Sequence, residues 1–578
     1  MSTKHFVTDI DKLVVDALES LALTNPDLAF YKADKIITNK NHDGSKNVAV
    51  ISGGGAGHEP AHAAFVGNGL LTAAASGWIF ASPSVAQIGR TIDLVSGSKG
   101  VLLIIKNYTG DVFHFRLAAE KAKSKGTNVE VVVVGDDVAV GRTKSGKVGR
   151  RGLAGTVLVH KVAGAAASDG KLSLHEVAAL AQEVANNLVT VGVSLNHVHI
   201  PGRKVEEENL IAEDEAELGL GIHNEKGAIR LKPIPAIKDL INTILDQLLD
   251  QNDKERAYVD FKDAENVVLL VNNLGGLSPV ELGAITTEVF YQLAARGIRP
   301  VRLLSGTYMT SLDGPGFSVT LLKAKSHILP LLDLPTKTTG FAPVSVVSDD
   351  LSSRINDDPT PVINHSENED KPKPEILDTS LFIFAVTEAA KRVIASEPEL
   401  TKYDTVVGDG DCGFTFKRAA EAAAEFVKTS KITPNVYALS ELAKIVENNM
   451  DGTSGAIFSI FLHALATAVS DVSNKLDAAG WAKAAKNALD TLYKATPARP
   501  GDRTLVDALD PFISTLLSTS DVRAAASAAR KGALNTKGLA AGLGRAVYVD
   551  NSVYDRVPDP GAVGIAELVE GLAAGLDK

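Results

Sequence analysis

The sequence predicts a multidomain chain, with two α/β units in its first half and an all-α antiparallel bundle in its second. Three observations carry this. The runs "NVAVIS" (47–52), "VLLIIK" (101–106) and "VEVVVV" (129–134) are apolar on both faces, the pattern of buried strands in a largely parallel sheet. The composition breaks at 348–376, "SDDLSSRINDDPTPVINHSENEDKPKPEI", which is too polar to bury a core of its own. From Leu377 on, strand signals nearly vanish, and alanine-rich stretches of helical period replace them.

Taken in order, the early strands are separated by helical stretches such as "HFRLAAEKAKSKG". Then "NVVLLVNNLGG" (266–276), "RPVRLLSG" (299–306) and "FSVTLL" (317–322) read as strands of a second α/β unit. The two units divide near 185–200 and together make one domain, 1–344. Residues 345–376 read as a linker. Residues 377–578 read as a helical domain built from "LFIFAVTEAAKRVIAS", "RAAEAAAEFVKTS", "ALSELAKIVENNM" and "WAKAAKNALDTLYKA", packed antiparallel through short loops.

Composition narrows the function classes. The chain has 578 residues, 45% hydrophobic and 22% charged, an ordinary globular balance. A net charge of −11 without a Lys/Arg block argues against nucleic acid or an anionic membrane as partner. A single cysteine, Cys412, allows no internal disulfide and suits a reducing, cytoplasmic setting. "MSTKHFVTDIDK" lacks a signal-peptide apolar core, "GLDK" is no peroxisomal address, and no apolar run is long enough to span a bilayer.

In the first half, the glycine-rich loop "VISGGGAGHEPAH" follows a strand and leads toward a helix, where backbone can approach a ligand closely. It is not a dinucleotide fingerprint, since His58 and Pro60 stand where the third glycine would be. "KNYTGD" offers Lys106 and Asp111 at a strand's C-terminal end, where open α/β sheets bind ligands. "ELGLGIHNE" sets His223 in a glycine-spaced turn. Spacing alone does not connect these three segments. "GRTKSGKV" (141–148) imitates a P-loop, but Val148 replaces the metal-binding hydroxyl and the pattern starts well past its strand. Its five basic residues within 142–151 read as a solvated or interface-facing loop. His197 and His199 in "NHVHIPG" lack a third ligand nearby and read as structural.

In the second half, "KYDTVVGDGDCGFTF" crowds Asp404, Asp409 and Asp411. Like charges this close repel unless a cation sits among them. The spacing is not that of an EF-hand; the alternatives are Mg²⁺ shared with nucleotide phosphates and a capped turn. "NNMDGTSGAIFS" (448–459) opens an apolar helix with Thr453 and Ser454, a natural phosphate cradle. "PGDRT" and "VPDPGAVG" add polar turns.

These motifs, in this order and with this linker, resemble the dihydroxyacetone kinases of the single-chain type. "SGGGAGHEPAHAAFVG", "KNYTGD", "GDDVAVG", "GTVLVHKVAGA", "ELGLGIHNE" and "VNNLGGLS" are similar to their substrate domain. "GDGDCGFT", "DGTSGAIFSIF", "PGDRT" and "DPGAVG" are similar to their ATP domain, a barrel of antiparallel helices.

The resemblance implies ATP-dependent phosphorylation of dihydroxyacetone and of glyceraldehyde. It implies that His223 forms a hemiaminal with the substrate carbonyl and that Asp111 is the general base. Gly55, Ala56, Gly57, His58 and Lys106 would line the substrate. Asp404, Asp409 and Asp411 would hold two Mg²⁺ ions. Asp411, Cys412, Gly413, Phe414, Thr415, Thr453, Ser454, Arg503, Thr504, Arg545, Asp559, Pro560 and Gly561 would contact ATP. The family implies a homodimer through the substrate domains.

Two residues depart from the family pattern. Ala56 stands in place of a serine and Asp451 in place of a glycine, which sets a carboxylate beside the phosphate cradle. Animal relatives also split FAD into a cyclic riboflavin phosphate with Mn²⁺, and stand-alone relatives act as regulators. The presence of His223, Asp111 and the three aspartates speaks against a purely regulatory role.

Overall fold

The computed structural model describes residues 4–203, 211–348, 354–355, 375–429, 434–470, 474–543 and 551–577. The chain forms two compact units, Met1–Pro359 and Thr360–Lys578.

Unit 1 contains two sheets. The first comprises β1 (Leu28–Tyr31), β2 (Ile36–Asn39), β3 (Ala49–Ala56), β4 (Ala73–Ile79), β5 (Val101–Lys106) and β6 (Val129–Val134), ordered β1-β2-β4-β3-β5-β6. The β4-β3-β5-β6 block is parallel, as the two-sided apolar runs predict. Ile51, Leu103 and Ile105 meet the helices Val85–Val95 and Thr109–Ser124 on one face. Val50, Leu102 and Ile104 belong to a core on the other face, with helices Thr156–Ala167 and Leu174–Asn186.

The second sheet comprises β7 (Leu188–Ser194), β8 (Ala216–Leu218), β9 (Ile229–Leu231), β10 (Asn266–Asn273), β11 (Arg302–Gly306), β12 (Gly316–Ala324) and β13 (Ser345–Val346). Its order is β13-β11-β10-β12-β7-β8-β9. Only β10 and β11 run parallel; the other pairs are antiparallel. Apolar periodicity reports burial on both faces but not strand direction, which long-range pairing decides. Leu270, Leu304 and Leu322 join the same core as Val50 and Leu102, so the two sheets share a hydrophobic interior.

Unit 2 is helical. Its helices are α1 (Thr379–Val407), α2 (Cys412–Thr429), α3 (Val436–Asn449), α4 (Gly452–Ala468), α5 (Ala478–Ala495), α6 (Val506–Thr519), α7 (Val522–Asn535) and α8 (Pro560–Leu576). Each packs on the next and α8 packs on α1, so among the described residues the helices close a ring. The seam of α1 and α8 is tight because Gly571 and Gly575 face it. A Cβ on Gly571 would lie 2.5 Å from Ala389 Cα, and one on Gly575 2.6 Å from Ala385 Cα. The ring surrounds an apolar cavity of about 440 Å³ lined by Phe382, Phe416, Phe458 and Trp481 among others. Among the described residues no helix is long and apolar enough to cross a membrane.

The stretch read as a linker has ordered edges. Ser345 and Val346 pair with β11, and Ile376 is buried against Leu439 and Val469 of unit 2. Residues 349–353 and 356–374 lie outside the described residues.

Candidate functional site

The sequence-separated turns of unit 1 converge on one cluster of polar side chains. β3 ends in Gly55-Ala56-Gly57-His58. Gly57 has φ +99°, and a Cβ there would lie 2.8 Å from the Phe80 ring, so the turn requires glycine. Across the pocket, Leu312 N–H donates to the Gly57 carbonyl (2.7 Å) and Thr310 N–H to the His58 carbonyl (3.2 Å). This ties the first sheet's loop to the β11–β12 connection. Lys106 ends β5, and Asp111 sits in the first turn of Thr109–Ser124. His223 follows β8, and Asn224 behind it takes φ +61° and clamps Val198 through both its backbone groups (2.9 and 2.8 Å).

His58 and His223 touch edge to face, Nε2 to Nε2 at 3.0 Å. The Thr310 carbonyl, 2.8 Å from His58 Nδ1, can only accept, so His58 carries a proton on Nδ1. Glu225 receives the His223 backbone N–H (2.7 Å) and stands 3.4 Å from His223 Nδ1. That carboxylate also accepts, which assigns a proton to His223 Nδ1. A hydrogen bond between the two Nε2 atoms then needs one further proton, shared between them, so the pair together carries one positive charge that the Glu225 carboxylate balances. Burial, then the charges of Lys106 and His223, hold His58 well below an ordinary imidazole. Burial would raise Glu225, but hydrogen bonds and charge from His223, with Arg151, hold it down at about 2. Gly221 keeps this corner open, since a Cβ there would lie 2.8 Å from Arg151 Nη1.

Lys106 and Asp111 are buried at 0% and 3% exposure, and Lys106 Nζ and Asp111 Oδ1 have no hydrogen-bond partner among the described residues. Burial pushes Lys106 down to about 8, with Asp111 and Glu225 opposing. Buried unpaired polar atoms are costly, so their convergence marks a place for a polar ligand. Tyr108 and Phe80 pack on His223 with ring centroids 4.4 and 5.5 Å away. Sequence reading missed Tyr108 and Glu225 although both lie inside the quoted motifs. Thr310 and Phe80 carried no local signal. Ala56 is buried in the loop.

The two decoys are structural. Arg142–Ser145 is a single helical turn, with Thr143 bonded to Glu255 (2.6 and 2.8 Å) and Arg142 over the Tyr258 ring. His197 pairs with Glu217 at 3.0 Å, and His199 with the Arg203 carbonyl at 2.7 Å.

In unit 2, Asp404 lies in the last turn of α1, and Asp409 and Asp411 in the glycine turn before α2. Each of the three offers an oxygen within 4.8 Å of the others, a grouping of metal-ligand type that no other His, Cys, Asp or Glu cluster matches among the described residues. Hard carboxylate oxygens at this spacing fit Mg²⁺. Asp404 also accepts the Cys412 N–H at 3.0 Å, which fixes the start of α2. Burial, then the nearby aspartates, push the Cys412 thiol far up.

Gly413 faces α1 and would carry a Cβ 2.8 Å from the Thr401 amide nitrogen. Thr415 is buried with its hydroxyl on the Cys412 carbonyl, whereas Phe414 is exposed. The starts of α2, α4 and α8 meet here. Ser454 Oγ and Leu505 Cβ lie 3.6 and 3.5 Å from a Cβ placed on Gly561. Asp559 caps α8 by accepting the Ala562 N–H (2.7 Å), with Pro560 as first helical residue. Burial, offset by that bond and Arg503, pushes Asp559 up to about 7. Thr504 donates its N–H to Asp507, and Thr453 is exposed at the start of α4.

Arg503, expected at the nucleotide, is 2% exposed and turned inward. Its guanidinium bonds the Thr536 carbonyl and the Val557 carbonyl (2.8 Å), so it braces the turn before α8. Asp451 stands at the N-cap of α4 but makes no cap bond; it pairs with Arg418. The extra carboxylate thus faces an arginine at the exposed start of α4. Arg545 lies outside the described residues.

Comparison with known proteins decides the family. A Dak1 domain model matches residues 19–340 and a DAK2 domain model residues 406–574. A dihydroxyacetone kinase of Pichia angusta is 44% identical, with 100% of this chain and 99% of that protein covered. The chain belongs to the dihydroxyacetone kinase family. A triokinase/FMN cyclase of Mus musculus is 38% identical over 99% of this chain and 98% of its own length. The crystal structure of the dihydroxyacetone kinase from C. freundii in complex with AMP-PNP and Mg²⁺ is similar with a TM-score of 0.64 at 32% identity, covering 99% of this chain and 100% of that one.

Proposed function

We propose that the chain transfers the γ-phosphoryl group of ATP to a hydroxyl of dihydroxyacetone, and of glyceraldehyde, while the substrate carbonyl is held covalently on His223. The observation that carries this is the Glu225–His223–His58–Thr310 array. A carbonyl needs a lone pair for its carbon and a proton for its oxygen, and the two Nε2 atoms with one proton between them offer both. His223 Nε2 attacks the carbonyl carbon, the C=O π pair moves to oxygen, and that oxygen takes the shared proton. His223 becomes a substituted imidazolium, balanced by the Glu225 carboxylate. The adduct fixes the substrate's hydroxyls in place. Asp111 then accepts the proton of the hydroxyl that attacks phosphorus, and Lys106 supplies nearby positive charge.

In unit 2, Asp404, Asp409 and Asp411 would hold Mg²⁺, and the α4 start with Thr453 and Ser454 would take phosphate. Bound there, the metal would neutralise phosphate charge. Two ions and a homodimer through unit 1 belong to the same reading and rest on the family resemblance. A second activity, FAD splitting, is favoured by the similarity to the triokinase/FMN cyclase and is tested by incubation with FAD and Mn²⁺.

The deciding experiment compares dihydroxyacetone with glycerol, which keeps both terminal hydroxyls but carries a third in place of the electrophilic carbonyl. The wild type should phosphorylate the ketone and not glycerol. Dihydroxyacetone labelled with ¹³C at C2 should lose its ketone signal on the wild type and keep it on His223→Gln. Comparable turnover of glycerol, or an unchanged KM in His223→Gln, would refute the covalent reading.

A further inference from the structure

One imidazole at the pocket has no part in the chemistry above. His62 is 4% exposed, and its Nε2 is buried without a hydrogen-bond partner among the described residues. Its tautomer follows from its neighbours. Ser52 Oγ on β3 lies 2.7 Å from the Ile104 carbonyl, 3.2 Å from His62 Nδ1 and 3.0 Å from His160 Nε2. A serine hydroxyl has one proton, and the carbonyl can only accept it. Both imidazoles must therefore donate to Ser52 Oγ. His62 carries its proton on Nδ1 and holds a bare lone pair at Nε2; His160 is the opposite tautomer.

That nitrogen borders the open position over Gly54. A point one Cβ bond out from Gly54 lies 3.6 Å from His62 Nε2, 3.6 Å from Asp111 Oδ2 and 3.6 Å from Lys106 Cε. Thus an acceptor on His62, an acceptor on Asp111 and the lysine chain surround one small space, with polar atoms of all three lacking partners among the described residues. Burial, then the charge of Lys106, keeps His62 well below an ordinary imidazole, so the lone pair persists at neutral pH. A triose brings two hydroxyls. Asp111 serves the one that is phosphorylated, and the other needs an acceptor.

We propose that His62 is a specificity-determining residue, whose Nε2 accepts a hydrogen bond from the triose hydroxyl that is not phosphorylated, with Ser52 fixing the tautomer. This rests on the pocket being a ketose site. It adds a rule to that reading: a short ketone lacking the second hydroxyl is rejected by an unpaired imidazole rather than by size.

Hydroxyacetone tests it, because it keeps the carbonyl and one hydroxyl and replaces the other with methyl. The wild type should favour dihydroxyacetone over hydroxyacetone in kcat/KM by about 10- to 100-fold. In His62→Leu, dihydroxyacetone should fall by that factor while hydroxyacetone changes by less than about 3-fold, so the residue and the hydroxyl are coupled. His62→Gln, which can present a carbonyl oxygen, should recover part of the preference. Equal losses for both substrates, or an unchanged preference, would overturn the proposal.

A readout on the unsubstituted protein guards against misfolding of the variants. The ¹⁵N signal of His62 should show a protonated Nδ1 and a bare Nε2, and dihydroxyacetone should shift Nε2 whereas hydroxyacetone should not. An Nε2-protonated ring, or the same shift with both ligands, also overturns it. Failure of the ketose reading itself shows separately, as the absence of the ¹³C adduct on the wild type.

Discussion

Gly54→Ala separates the pocket's chemistry from the fold. Gly54 lies in β3 with φ outside the left-handed region, and the nearest atoms to an added Cβ are all at 3.6 Å, ordinary contact. Alanine there strains nothing and stiffens the unfolded chain, which stabilises by about 0.4–1 kcal/mol where the native backbone suits it. The methyl nevertheless occupies the space bounded by Asp111, His62 and Lys106. It can neither donate nor accept, so a bound triose would lose at least one hydrogen bond to a buried polar group, about 1–3 kcal/mol. That corresponds to roughly a 5- to 150-fold rise in KM for dihydroxyacetone, with KM for ATP unchanged. Gly53→Ala is the contrasting control, because its Cβ would fall inside the contact distance of the Ala75 carbonyl on β4, and the sheet should lose stability instead. Thermal unfolding and a coupled kinase assay read both. A Gly54→Ala protein with wild-type KM for dihydroxyacetone, or with a melting loss like that of Gly53→Ala, would refute the reasoning.

Three further outcomes follow from the same structure. Asp409→Asn should leave the ¹³C adduct on unit 1 intact but reduce ATP-dependent turnover by about 100-fold or more, since one of the carboxylates that would hold the metal is lost and phosphate charge goes uncompensated; near-normal kcat in saturating Mg·ATP would count decisively against the metal assignment. His58, His62 and His160 are held below the usual 6.5, His160 at about 3 by burial and then Lys106. On acidification the unfolded chain therefore takes up protons first, so unit 1 should lose stability as pH falls from about 6.5, and His160→Gln should flatten that slope in denaturant titrations. Gly571→Leu should lower the melting temperature of unit 2, because its side chain would meet the Ala389 backbone at 2.5 Å, and overpacking of this kind costs about 1–3 kcal/mol or more; an unchanged melting curve would show that the α1–α8 seam has slack.

Much of the site was legible because its chemistry sits in contiguous turns. Gly57, His58, Lys106, Asp111 and the three aspartates each belong to a short stretch whose glycines and charges make no sense as core. Buried parallel strands such as Val101–Lys106 declare themselves by apolar runs, and the helices of unit 2 by their period. Their local signals are strong because burial on one or two faces constrains every residue in the element.

Other features depended on which distant surfaces meet. β4, "AAASGWI", is too small-residued to read as a strand, yet it pairs beside β3. One antiparallel partner of β7 lies more than a hundred residues away in β12, and no periodicity encodes that. His58 finds its carbonyl on Thr310, and Ser52 finds His160, across similar gaps. Side-chain direction was equally hidden: Arg503 turns into the core, and Asp451 turns to Arg418 instead of capping α4. Composition and motif determine which residues are available for chemistry. Only close packing of the folded chain decides which polar groups face each other and which are left facing a ligand, because a buried donor or acceptor must find a partner across whatever surface the fold places against it.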